Sequence, residues 1–191
     1  PLAWARLSEL QLAQGRRDGS RESAARATGL DSGLARTQMV LGYAALSEFD
    51  TTASKTAFEA ALAADSADPM AHLGLGLAMI RDGDLVGGRK EIEVAVALDS
   101  SSATLRSYLG RAYYEENRGP LDADQYAIAR ELDDNDPTAY LFDALRKHSE
   151  NRPVEAAQDL RASIERNDNR AVYRGRNLLD EDRAARGASI A

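Results

Sequence analysis

The residues of this chain whose types could do chemistry are few: two histidines, a Gly74-Leu75-Gly76 triplet and two acidic runs. His72 and His148 are the only imidazoles, and no cysteine or neighbouring histidine completes a ligand set around either. A metal site built on them is therefore not expected. The run Asp133-Asp134-Asn135-Asp136 lacks the glycine and the distal glutamate of a calcium loop, and the run at 179–183, LDEDR, reads as a solvated helix start. No serine has a histidine and an acid in plausible sequence context. The reading is a chain that is not an enzyme and holds no cofactor and no metal.

The glycine triplet could open a loop that cradles a phosphate. Such a loop places its glycines before a helix N-terminus, where N–H groups are free. The stretch MAHLGLGLAMIRDGD, residues 70–84, instead puts Gly76 in the middle of a helical pattern. A mid-helix glycine costs about 1 kcal/mol relative to alanine, so it needs a reason. Close approach of a second helix supplies one.

The elements that position these residues show in a repeat along the chain. Gly42, Gly76 and Gly110 recur every 34 residues. Leu7, Leu41, Leu75 and Leu109 keep the same step, as do Ala27, Ala61, Ala95 and Ala129. Asp31, Asp65, Asp99 and Asp133 form a fourth column, continued by Asn167. Units therefore begin at Pro1, Ala35, Pro69, Ala103 and Pro137, with a further start at Ala171. Each reads as two helices: in the third unit Leu73, Leu77 and Ile80 mark one face of the first, and Leu85, Ile92 and Val96 recur at helical spacing in the second. All five prolines fall where a helix should begin, and Asp68-Pro69 and Asp136-Pro137 have the form of an N-cap followed by a first-turn proline.

Composition bounds the partners. There are 24 Lys plus Arg against 31 Asp plus Glu, a net charge of −7 and a pI near 5.0. That balance disfavours nucleic acid, whose binders need a basic face to release counterions. A hydrophobic fraction of 43% supports a packed core. No apolar run approaches the roughly 20 residues that span a bilayer, so no direct membrane insertion is expected. The sequence begins with Pro1, not Met, and reads as a piece of a longer protein.

The 34-residue helix–turn–helix period, with Trp4, Leu7, Gly15, Ala27 and Asp31 in the first unit, LGY at 41–43 with Phe58 and Ala61 in the second and YLGRAYYEEN in the fourth, resembles the tetratricopeptide repeat (TPR) family. The resemblance implies an all-α fold: a right-handed superhelix, or α-solenoid, of about five repeats over residues 1–170. Residues 171–191 are expected to be a C-terminal helical segment, a truncated further repeat. Two departures stand out. The column that the family fills with alanine early in the second helix reads Ser20, Ser54, Gly88, Asp122 and Ala156, and we expect the helix after Pro120 to shift so that Ala123 turns inward. In the fifth unit Asp143 replaces the column leucine.

In this fold the second, fifth, ninth and twelfth positions of each unit line a concave groove. Those columns supply an apolar middle flanked by Arg36 on one side and by Arg111 with Tyr114 on the other. The expected partner-binding residues are Met39, Tyr43, Leu73, Leu77, Ile80, Arg111 and Tyr114. The lysines and asparagines with which some family members hold acidic chaperone tails are absent from the fifth and ninth positions. The groove better suits an apolar or amphipathic segment. The expected function is thus a protein-interaction scaffold for a peptide or protein ligand, against two alternatives: a helper domain of an enzyme, or a structural spacer. A second resemblance covers the C-terminal stretch from Glu150: it is similar to a segment of bacterial envelope proteins in which such repeats lie between a FecR-type domain and an outer-membrane β-barrel. It implies a periplasmic setting; the alternative is cytoplasmic.

Overall fold

The computed structural model describes residues 1–167. Among the described residues there are ten helices and no strand: α1 (Leu2–Ala13), α2 (Arg17–Leu30), α3 (Ala35–Ser47), α4 (Thr51–Ala64), α5 (Pro69–Arg81), α6 (Leu85–Leu98), α7 (Ala103–Glu115), α8 (Leu121–Leu132), α9 (Pro137–Ser149) and α10 (Pro153–Arg166). They follow one another in the phase of the sequence repeat, and α1 with α2, α3 with α4, α7 with α8 and α9 with α10 each pack as a pair. The expected segment at 171–191, with its acidic run, lies outside the described residues. Two compact units divide the described residues, 1–78 and 79–167, with the boundary in the last turn of α5.

Each punctuation mark in the sequence has a local physical job. Asp50 accepts a hydrogen bond from the Ala53 N–H at 3.0 Å, Asp84 from Gly87 at 2.8 Å and Asp136 from Thr138 at 3.0 Å, satisfying donors that the first helical turn leaves orphaned. Asp68 does the same for α5, accepting from Met70 at 2.8 Å ahead of the first-turn proline. The aspartate column closes the turns between repeats: Asp31, Asp65, Asp99 and Asp133 each accept from the N–H two residues on, at 2.9 to 3.2 Å.

A further column escapes composition altogether. Gly15, Phe49, Gly83, Asn117 and Asn151, one per unit, all take positive φ, at 71°, 66°, 97°, 55° and 59°. Each ends a first helix with the same pair of hydrogen bonds, as where Gly83 N–H reaches Ile80 O and Asp84 N–H reaches Met79 O, both at 3.0 Å. This is the Schellman closure, in which a left-handed residue lets the chain turn back and satisfies the last carbonyls. Glycine and asparagine accept that conformation cheaply; Phe49 does not.

The recurring glycines answer the question of close packing. A Cβ on Gly42 would come within 2.8 Å of the Phe58 ring, and one on Gly110 within 2.5 Å of the Tyr126 ring. Gly74 is tighter still, with Phe58 at 2.2 Å from the same imagined atom. Phe58 is fully buried, its ring lodged against both α3 and α5. Real Cβ atoms do not approach so closely, so these positions are glycine because an aromatic ring occupies the space.

The two acidic departures are resolved differently. The helix after Pro120 does not shift: Asp122 itself is the buried residue, while Ala123 is half-buried. Its carboxylate lies in the first turn of α8 and accepts from the Ala123 N–H at 2.6 Å. Free N–H groups and the positive end of the helix dipole make that turn a tolerable place for a buried acid. Asp143, also buried, is held by Arg130 at 2.8 Å, Arg146 at 2.5 Å and Lys147 at 3.0 Å. Burial by itself would raise its pKa, but hydrogen bonds from Lys147 and Arg146 outweigh that and hold it below the ordinary carboxylate value. Lys147 and Arg130 also reach Asp159 on α10, at 2.5 and 3.4 Å, so one ionic cluster ties α8, α9 and α10 together.

Candidate functional site

The seven candidate binding residues divide between the two units and between two kinds of environment. In the first unit, Met39, Tyr43 and Leu73 are buried, at 3%, 1% and 0% exposure. Their side chains have spent their surface on packing. The Tyr43 ring meets Phe58 edge-on at 4.8 Å, and its hydroxyl donates to Met70 O at 2.5 Å. Leu77 is half-buried and keeps some accessible surface. Beside them, Glu9 on α1 is clamped by Arg6 at 2.9 Å and by Arg36 at 2.5 Å. Arg36, expected to flank the groove, therefore joins α1 to α3.

The second unit holds Ile80, Arg111 and Tyr114, all half-buried. Arg111 and Tyr114 project from α7, where the helical step of three brings them side by side. The guanidinium lies over the Tyr114 ring, 5.0 Å from its centroid, and over the Phe142 ring of α9 at 5.9 Å. It also pairs with Glu115 on its own helix. Phe142 is the residue that sequence reasoning missed. Its ring meets Tyr108 edge-on at 5.3 Å and lies 6.5 Å from Tyr126. The signal was present in its column, where Val40 and Tyr108 are also large and apolar, but Gly74 interrupts it.

Below this cluster Tyr126 is 1% exposed, and among the described residues its hydroxyl has no hydrogen-bond partner. Burial pushes its pKa far above the ordinary phenol value. The phenol stays protonated and offers a donor. Ser107 is turned away from such duty, donating to Ala103 O at 2.9 Å, and Thr104 donates to Asp136 at 2.8 Å.

The histidines behave as separate surface groups: His72 is half-buried with a ring nitrogen 3.1 Å from Ser66 O, and His148 is exposed. Among the described residues no group of three His, Asp or Glu could hold a metal ion, and no helix is long and apolar enough to cross a membrane. The second unit's cluster can stack on a flat or apolar group and donate charge-assisted hydrogen bonds from Arg111.

No protein-family model and no curated protein matches this chain. Solved structures do. The thermophilic TPR protein TTC0263 of Thermus thermophilus superposes with a TM-score of 0.81 at 16% identity, covering 98% of this chain and 95% of that one. MamA of Desulfovibrio magneticus RS-1 gives 0.63 at 16% identity, with coverage of 85% and 92%. YrrB, described as a TPR protein with an unusual peptide-binding site, gives 0.57 at 16% identity, covering 98% and 91%. Similarity at this identity speaks for the fold alone: ten described helices, in the phase of the 34-residue period, give this chain the fold of tetratricopeptide-repeat solenoids.

Proposed function

We propose that this chain is a non-catalytic interaction scaffold that holds a peptide or protein segment against the first helices of its repeats. The observation that carries the reading is the half-buried Arg111 guanidinium laid over Tyr114 and Phe142. A stacked arginine beside aromatic rings is a typical anchor for a partner, rigid and able to hydrogen-bond. In this reading the contact residues of the second unit are Ile80, Arg111 and Tyr114, and Leu77 is the candidate in the first unit that keeps accessible surface. Met39, Tyr43 and Leu73 act from behind the surface, setting the position of the helices that present it. The ligand is an apolar or amphipathic segment, and the peptide-binding description of YrrB is in keeping with it. The likeness of the C-terminal stretch to bacterial envelope proteins supports a place in the periplasm as part of a larger envelope protein.

The test is capture from bacterial envelope extract by the wild type and by Leu77→Arg and Arg111→Glu variants, each checked for helicity by circular dichroism. Proteins held by the wild type and lost from a folded variant support the reading. Identical capture by all three counts against it and favours a spacer. Leu73 is unsuitable for this purpose, since a charge placed at a fully buried site would unfold the unit.

A further inference from the structure

Within each unit, successive repeats meet through the same positions. The twenty-fourth residue of one repeat packs on the sixth of the next: Phe58 lies against Gly74, and the Tyr126 ring is 6.5 Å from Phe142. The twenty-eighth residue meets the seventh of the next, as where Arg130 reaches Asp143 at 2.8 Å. Elsewhere those two columns hold Leu62, Val96, Leu41, Leu75 and Leu109, half-buried or buried, with Thr28 the one polar member. Val96 is 6% exposed and Leu109 is 4% exposed.

At the two ends of the described array the same columns stand open. Ile164, twenty-eighth in the last repeat, is 64% exposed on α10, and Leu160, in the twenty-fourth position, is half-buried where Phe58 and Ile92 are fully buried. On α1, Leu7 in the seventh position is 39% exposed. Leu10 is half-buried in a column where Ala44, Ala78 and Ala112 are buried. One end therefore presents an unmatched apolar second-helix face, and the other an unmatched apolar first-helix face.

We propose that α1 of one copy of this chain seats on α10 of a second copy, continuing the repeat register between molecules with Leu7 against Ile164 and Leu10 one turn further along the same apolar face of α1. The pairing rule favours a second copy over the chain's own continuation. In register, the residues of that continuation at the seventh and tenth positions are Asn177 and Asp180, which would set two polar groups on an apolar face. The sixth position is arginine in both cases, Arg6 and Arg176, and does not discriminate. The contact joins two different faces, so it is head-to-tail and each added copy exposes a fresh end. It is independent of the peptide-binding reading.

Sedimentation velocity of the full 191-residue chain over a range of concentrations tests it. The average mass should rise with concentration above the 20.7 kDa of the monomer. Leu7→Asp and Ile164→Arg should each weaken association by at least about tenfold, because each leaves a charge facing an apolar partner. The double variant should regain association, since it recreates between copies the aspartate–arginine pair that joins α9 to α8 within the chain. A wild type that stays monomeric throughout overturns the proposal, as does association that survives either single change. A monomeric wild type whose melting temperature falls on Ile164→Arg would show instead that the chain's own continuation covers α10. A double variant that stays monomeric would refute the proposed register.

Discussion

Two sets of three residues, one in each unit, occupy the same columns of the repeat and are built in opposite ways. In the first unit Tyr43, Phe58 and Gly74 form a sealed stack: the glycine admits the phenylalanine, the tyrosine closes over it, and its hydroxyl is used on a backbone carbonyl. In the second unit the corresponding residues are Arg111, Tyr126 and Phe142. A second ring, Phe142, stands on the next first helix where the first unit has a glycine, the buried Tyr126 hydroxyl has no partner among the described residues, and the capping residue is a half-buried cation. The repeat fixes where side chains meet. Whether the meeting is a core or a surface depends on which of the three is large.

The largest test of this contrast is Phe58→Ala, which empties a site walled by two glycines that cannot refill it. It should cost about 4 kcal/mol, read as a fall in the midpoint of chemical denaturation. A loss below about 1 kcal/mol would mean the glycines are not shaped around that ring. Next is the ionic cluster of the second unit. Asp143→Ala removes the acceptor that Arg130, Arg146 and Lys147 share, leaving them Asp159 and Glu150, and should cost about 2 kcal/mol at neutral pH. The folded pKa of Asp143 lies below its unfolded value. Its contribution is therefore present in full above the unfolded carboxylate pKa and is lost as pH falls through the folded one. Stability measured from about pH 6 down to about pH 2 should fall less steeply in the Asp143→Ala variant than in the wild type; parallel curves would remove the charge cluster from the account of acid stability.

A finer comparison pairs two identical changes. Tyr43→Phe deletes a hydroxyl that donates to Met70 O and should cost about 1 kcal/mol, whereas Tyr126→Phe deletes one without a described partner and should be neutral or stabilising by up to about 1 kcal/mol. Equal losses would show that the Tyr126 hydroxyl is satisfied, for instance by a buried water. Smallest is Arg111→Ala. Its pair with Glu115 is partly exposed, so stability should change by less than about 0.5 kcal/mol, while capture of a partner is lost. A large fall in melting temperature would assign Arg111 to packing, like Tyr43 in the first unit.

Much of the architecture was legible because the repeat copies its own constraints. The aspartate column marks the inter-repeat turns, and at Gly42 and Gly110 the close approach expected of the glycine column is that of Phe58 and Tyr126. The left-handed closure of each first helix was not legible at Phe49, since no side-chain property of phenylalanine signals a positive φ. The inward turn expected of Ala123 failed for a related reason. A carboxylate in the first turn of a helix finds free N–H groups, so Asp122 can be buried without moving the helix.

The candidate site divides along the same line. The resemblance to the repeat family places Met39, Tyr43, Leu73 and Arg111 in columns expected to face a groove. Their exposure depends on the volume of residues far away in the chain: Phe58 and Gly74 together draw Tyr43 inward, whereas Phe142 fills the corresponding space from the other side and leaves Arg111 resting on top.

The period, the caps and the helix pairing were thus determined by sequence alone, because each is a local rule about hydrogen-bond donors, turns and apolar spacing, repeated until chance is excluded. Which side chains became core, which formed the charge cluster on Asp143 and which kept a surface to offer was decided by tertiary structure, because burial is a property of how neighbouring volumes fill shared space.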